Sequence, residues 1–392
     1  MTDAVELILG PGPWRVTLPA GKLVRPNQVA SNDRPITELI REALEKPFGF
    51  EPLRRALTPD DHIAVVVDDR LPELPALLSG LFDHLGGAGI QPSAVTLVLA
   101  PPARNQGFID DLPDEWSDVT VEVHDPANDK RIAYLSTTQG GRRVYLNRTV
   151  VEADFVVVLA GRRFDPVVGI DGGVRSIFPT LSNLATRDEW VGKMPVRDPL
   201  AAIGSDPEIG EIGWLLGTPF FIQVIEGANG TVQDVIGGLV DSLDEGVKRQ
   251  RARWEQTVAG ASPLVIATAA GDLHDLANAL ANAGRILDGI GQIVLLAEPT
   301  AIADDAFVIV RQASSPAAAA SALQQEKPEG LAGAMLWSLS ARLGSIRLGP
   351  DWPDAKELFA TPITRDELQQ LIDQSPRVAV LTDAHLSFTR VG

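Results

Sequence analysis

The clearest pattern in the chain is the short, unbroken apolar run that ends in charge or glycine. His62-Ile-Ala-Val-Val-Val-Asp68 is β-branched and predicts a buried parallel strand whose carboxyl end opens at Asp68 and Asp69. Leu74 to Leu85 then carries leucine at helical spacing, with Pro75 in its first turn and Gly86, Gly87 and Gly89 after it. Ala94 to Ala100 predicts a second buried strand. This is a βαβ unit, and its right-handed crossover places the loops of both strands at one sheet edge. Val119 to His124 and Arg143 to Leu146 predict shorter strands, and Ala153 to Ala160 gives the most continuous β signal, with a glycine-rich turn behind it.

Helices are predicted from Glu208 to Leu216 and, with stronger charge amphipathy, from Leu239 to Val258, the latter as a connection between domains. The pattern then restarts. Strands are expected over Pro263 to Ala269, Gln292 to Ala297, Ala306 to Val310 and Arg377 to Thr382, and helices over His274 to Leu287, Pro316 to Gln325 and Arg365 to Ser375. The fold class this implies is α/β: two α/β domains with mainly parallel sheets and a cleft between them, residues 1–258 forming the first and 259–392 the second.

Length and composition agree with two cores, since 392 residues at 45% hydrophobic exceed what one core usually organises. Thirty-four Lys and Arg against fifty-two Asp and Glu leave a formal charge of -18, so the average field repels nucleic acid and anionic lipid surfaces. A small anion is still admitted, because a local cluster of arginines overrules net charge at short range. The absence of cysteine removes disulfides, thiolate metal sites and cysteine nucleophiles. Met1 to Leu18 has neither the basic start nor the apolar core of a signal peptide, and no apolar stretch reaches the ~20 residues of a membrane helix, so a cytoplasmic protein is expected.

Three groups of residues are candidates for chemistry. Gly169-Ile-Asp171-Gly172-Gly173-Val-Arg175 follows a predicted strand, and such a turn brings backbone amides and a bidentate guanidinium to an anion; the alternative is a tight turn. Asp68-Asp69-Arg70 ends the first strand, where open α/β sheets bind ligands, against the alternative of a solvated strand end. Arg104 follows the neighbouring strand and faces the same crevice in that topology, with Arg162 or Arg163 as further anion contacts. The five histidines, His62, His84, His124, His274 and His385, show no metal-ligand spacing. No nucleophile elbow, P-loop or dinucleotide fingerprint is present.

The order of several segments resembles the nickel-pincer lactate racemase family. The stretches are Val65-Val-Val-Asp-Asp-Arg-Leu-Pro-Glu-Leu-Pro75, Val95-Thr-Leu-Val-Leu-Ala-Pro-Pro-Ala-Arg-Asn105, Tyr134-Leu-Ser-Thr-Thr-Gln-Gly-Gly141, Asn147-Arg-Thr-Val-Val-Glu-Ala-Asp154 and Gly169-Ile-Asp-Gly-Gly-Val-Arg-Ser-Ile-Phe-Pro179, and Val265 to Leu295 is similar to the start of the family's second domain. The resemblance implies a two-domain cleft that binds a 2-hydroxy acid, and a nickel-pincer nucleotide joined to a loop lysine.

The matched positions depart from that family where its chemistry is done. The tethering lysine falls at Arg175, which keeps a positive charge but is a poor substitute for an amine that must be acylated. The two proton-transferring histidines fall at Arg104 and Asp165, and the region that holds the nickel-binding histidine has none between His124 and His274. By the resemblance, Asp69 and Asp275 match family aspartates, Pro72 stands where the family has an arginine, and Ala279, Leu280 and Ala283 replace a tyrosine, a glutamine and a lysine that held substrate.

The expectation is a non-catalytic or repurposed relative that binds a small anionic molecule, such as a hydroxy acid or nucleotide, through Asp69, Arg70, Arg104, Gly169, Gly172, Gly173, Arg175 and Asp275. A protein partner or a second copy is admitted. The alternative is a 2-hydroxy-acid racemase or epimerase holding the nickel-pincer nucleotide without a covalent bond, with Asp165 as its proton-transfer group. A further alternative is a Mg2+ or Ca2+ enzyme using Asp68, Asp69 and Asp171 as oxygen ligands.

Overall fold

A computed structural model describes residues 4–10, 14–26, 32–101, 103, 105–195, 207–300 and 305–392. Strand Ile63–Val67 lies inside a six-stranded sheet, buried along its whole length as its β-branched run requires. On one side it pairs with Val95–Leu99, which pairs with Thr120–Val123; on the other it pairs with Phe155–Gly161, followed by Phe220–Glu226 and Val232–Gly238. Every pairing is parallel except the last. Helices Ile36–Glu45 and Leu74–Gly86 cover one face, while Val150, Phe178, Leu181 and Ile212 cover the other.

The second sheet repeats the plan. Strand Ser262–Thr268 pairs with Leu287–Leu296, which leads to Ser345–Gly349 and Ala360–Pro362; on its other side lies Val378–Leu381. All are parallel. Helices Leu273–Arg285, Asp305–Gln312, Pro316–Glu326 and Leu331–Ser340 supply the core on one face. Two α/β domains with mainly parallel sheets are therefore present. Each is doubly wound, so each has one point where the chain order reverses: between Ile63–Val67 and Phe155–Gly161 in the first, and between Ser262–Thr268 and Val378–Leu381 in the second.

Several details differ from expectation. Ala306 to Val310, expected as a strand, lies within helix Asp305–Gln312, because Ala306, Phe307 and Val310 bury one helical face and leave Val308 in solvent. The connecting helix ends at Trp254 within Ser242–Trp254; Glu255–Val258 is instead a strand paired with Phe388–Val391. The start of the chain departs from the expected 1–258 domain. Leu23–Val24 extends the second sheet beside Val378–Leu381, and Leu9, Trp14, Val16 and Leu18 of the hairpin Ala4–Leu9/Trp14–Pro19 pack on that sheet's other face with helix Arg365–Gln374. Among the described residues no helix is long and apolar enough to cross a membrane.

Candidate active site in the cleft

The reversal point of the first sheet fixes the centre of the site. Asp68 leaves the end of Ile63–Val67, and Arg162 and Arg163 leave the end of the adjacent Phe155–Gly161. The Asp68 carboxylate is bound by the Arg163 guanidinium and lies 3.3 Å from Arg70 Nε. Burial alone would raise its pKa, but the two arginines outweigh burial and hold the carboxyl well below the usual range. Arg163 is shared, its Nε lying 2.5 Å from Glu226 Oε1 at the end of Phe220–Glu226. Asp69 accepts the Asn105 amide at 2.8 Å, which ties the two neighbouring strand-end loops together.

Arg162 points the other way, under the glycine turn. Its guanidinium donates to Gln223 Oε1, the Asp171 carbonyl and the Leu243 carbonyl at 2.8, 3.2 and 3.1 Å. Burial pushes its pKa down to about 10, so it is charged at neutral pH. The turn rests on this side chain with no space to spare. Gly172 has φ +91°, and a Cβ there would sit 2.4 Å from the Gly161 carbonyl oxygen; Gly173 would meet Leu243 and Arg162. Gly169 serves the same turn by pairing with Asp165 across a two-residue ladder.

This scaffold forms two adjoining cavities. The first, about 250 Å3, is bordered by Asp69, Arg70, Arg163, Asp171 and Gly172 of the first domain and by Asp272 and His274 of the second. The next, about 240 Å3, shares Asp171, Thr180 and His274 with it and adds Asp165, Arg175, Trp190 and Lys193. Arg175 Nη1 and Trp190 Nε1 are both buried without a hydrogen-bond partner among the described residues. Arg175 also lies 5.9 Å from the Trp190 ring centre, with the Lys193 ammonium over the same ring. Asp165 accepts the amides of Val167 and Val168 at 2.8 Å each, yet burial and the neighbouring Asp171 raise its pKa to about 6.

The reversal point of the second sheet faces this one. A third cavity of about 400 Å3 runs between Arg70, Pro72, Arg163 and Glu226 on one side and Gly271, Asp272, Asp275 and His385 on the other. Asp275 bonds the Asp272 amide at 3.1 Å and completes a capping box on helix Leu273–Arg285, so its part is to start that helix.

Of the residues singled out in the sequence, Asp69, Arg70 and Gly172 meet in the first cavity, and Asp165 and Arg175 in the second. Gly169 and Gly173 shape the turn behind them. Arg104 lies outside the described residues. Sequence reasoning missed His274, Trp190 and Lys193 as members of the site. For His274 a signal existed: it follows the end of the second domain's first strand, as Asp68 to Arg70 follow that of the first domain. His84 and His124 are core fixtures, bonded at 2.9 Å to the Arg54 amide and the Ser182 carbonyl.

The glycine turn does not offer a pincer nucleotide an acylable lysine: Arg175 occupies it, and its guanidinium lacks the nucleophilic amine. The amine of Lys193 lines the same cavity but stands over the Trp190 ring. The oxygen-only cation site fares no better, because Asp68 is engaged by Arg163 and Arg70, and no group of three or more potential ligands occurs among the described residues.

Two doubly wound domains with their reversal points facing across an arginine- and carboxylate-lined cleft define the class. Within it, residues 10–189 match the lactate racemase N-terminal domain, so that stretch of the chain is lactate racemase-like. Over 154 residues it is 22% identical to lactate racemase of Thermoanaerobacterium thermosaccharolyticum, and that match spans 38% of this chain but only 36% of the relative's length. The lactate racemase apoprotein structure from the same organism has the same fold, with a TM-score of 0.76 at 16% identity over 99% of this chain and 100% of that one. A Thermotoga maritima protein matches at a TM-score of 0.67 and 12% identity, covering 93% and 100%.

Proposed function

We propose that this protein binds a small carboxylate- or phosphate-bearing anion in the cleft and has given up lysine-tethered cofactor chemistry. The observation that carries the reading is the pair of buried, unpartnered donors, Arg175 Nη1 and Trp190 Nε1, on two side chains that line one small cavity. Buried donors left unpaired are costly, and an anion that accepts from both removes that cost. Lys193 adds charge above the indole, and the turn at Gly172 and Gly173 fixes the loop from which Arg175 projects.

Calorimetric titration with lactate, pyruvate and phosphate tests this. At least one should bind, and Arg175→Met should weaken it by about 10- to 100-fold, the value of a charged hydrogen bond. Absence of binding by all three, or unchanged affinity in the variant, refutes it. Mass spectrometry showing a pincer adduct on the purified protein would refute the second half.

One observation favours a second reading, a 2-hydroxy-acid racemase with a non-covalently held cofactor: Asp165, with its pKa raised to about 6, has the character of a proton-transfer group. That reading requires lactate racemisation with cofactor supplied, abolished by Asp165→Asn.

A further inference from the structure

The anion cavity is closed from the second domain by His274, which stands opposite chemistry supplied by the first. Its imidazole borders both small cavities, as does Asp171, while Asp165 and Arg175 border the one they share with it. The ring is held. Phe307, fully buried, meets it edge-on at 5.4 Å and 89°, and helix Leu331–Ser340 presents Gly333 to its Nδ1 side, where a Cβ would come within 2.0 Å. A side chain kept in a glycine notch, at the mouth of a cavity holding a guanidinium and a carboxylate, has a defined place relative to any bound acid.

We infer that Asp165 and His274 form an acid–base pair that enolises a 2-oxo acid whose carboxylate is held by Arg175. This rests on the anion-binding reading and adds the substrate class. The Asp165 carboxylate removes a proton from C3, and the C3–H electron pair becomes the C2–C3 double bond. The C2 carbonyl oxygen takes a proton from the His274 imidazolium, leaving an enol, a protonated Asp165 and a neutral imidazole. Reversal with exchanged protons returns the oxo acid, so no oxidant or reductant is consumed. The raised pKa of Asp165 suits a base that must work near neutrality.

The choice of an oxo acid over a hydroxy acid follows from charge. Deprotonating C2 of a hydroxy carboxylate puts a second negative charge on the ligand, with only the already anionic carboxylate to delocalise it. An oxo acid passes to a neutral enol and adds no net charge to the ligand.

The test is loss of the pyruvate methyl signal in D2O by proton NMR, with 2-oxobutyrate as a second probe. The protein should speed exchange well above buffer. At saturating pyruvate, Asp165→Asn and His274→Gln should each slow it by about 100-fold or more, the usual share of a positioned proton-transfer group. If His274→Gln fails to fold, His274→Asn replaces it, and Asp165→Asn alone still decides. Binding of pyruvate without accelerated exchange, or exchange indifferent to both substitutions, overturns this inference and leaves the anion site standing. Failure to bind lactate, pyruvate or phosphate brings down the underlying reading instead.

Discussion

Replacing Asp165 by asparagine should stabilise this protein, and by an amount that depends on pH. The carboxyl keeps two backbone hydrogen bonds, from Val167 and Val168, and an asparagine Oδ1 can accept both. What the substitution removes is a charge that burial and Asp171 disfavour, shown by a pKa raised from 3.8 to about 6. The folded state thus holds this proton where the unfolded chain has released it, so stability from Asp165 is fully present below about pH 4 and is lost as pH rises through about 6. Two units correspond to about 2–3 kcal/mol, or roughly 4–10 °C in Tm for domains of this size. Urea unfolding of both proteins from about pH 5 to pH 8 is the assay, and taking the difference cancels groups common to the two. The variant's advantage should grow across that range and level off above about pH 7. An advantage flat with pH, or a variant less stable at pH 8, would refute the reasoning.

Other substitutions test other parts of the scaffold. Arg163→Met leaves the Asp68 and Glu226 carboxylates, both nearly buried, without their shared cation, and should cost about 3–5 kcal/mol in chemical denaturation. Gly172→Ala places a methyl against the Gly161 carbonyl at φ +91°; the expected loss is above ~2 kcal/mol, together with anion binding, as read by denaturation and calorimetry. Glu329→Gln breaks the 2.8 Å ion pair with Arg187 that links the two domains, but Glu329 is mostly exposed and the change in stability should stay below about 1 kcal/mol.

The first domain was legible because its central strands are short apolar runs ended by charge, a pattern that states both burial and where the carboxyl end opens. Phe220–Glu226 escaped notice although all seven residues are buried, because Gln223 and Glu226 interrupt its apolar pattern. Their polarity has a purpose that only the fold displays: Gln223 receives Arg162, and Glu226 receives Arg163 through its carboxylate and Trp254 through its carbonyl. Helix Asp305–Gln312 was misread because a run such as Ala306 to Val310 suits either periodicity at that length. The site itself was half legible. Asp69, Arg70, Asp165 and Arg175 follow predicted strands, whereas His274, Trp190 and Lys193 join them through tertiary packing that no local pattern encodes.

The pairing of Leu23–Val24 with Val378–Leu381 bears on how the chain reaches this state. Thr17 bonds Gln369 and Lys22 bonds the Asp373 carbonyl across more than 350 positions. A ribosome delivers the first partner of each contact long before the second, so this hairpin, with Trp14 and Leu18 uncovered, must wait until residues 365–381 have been made. Closing such loops is slow, and the exposed interval favours chaperone capture. The two lobes are consequently not separable at residue 258: a cut there takes from the second its edge strand and one wall of its core.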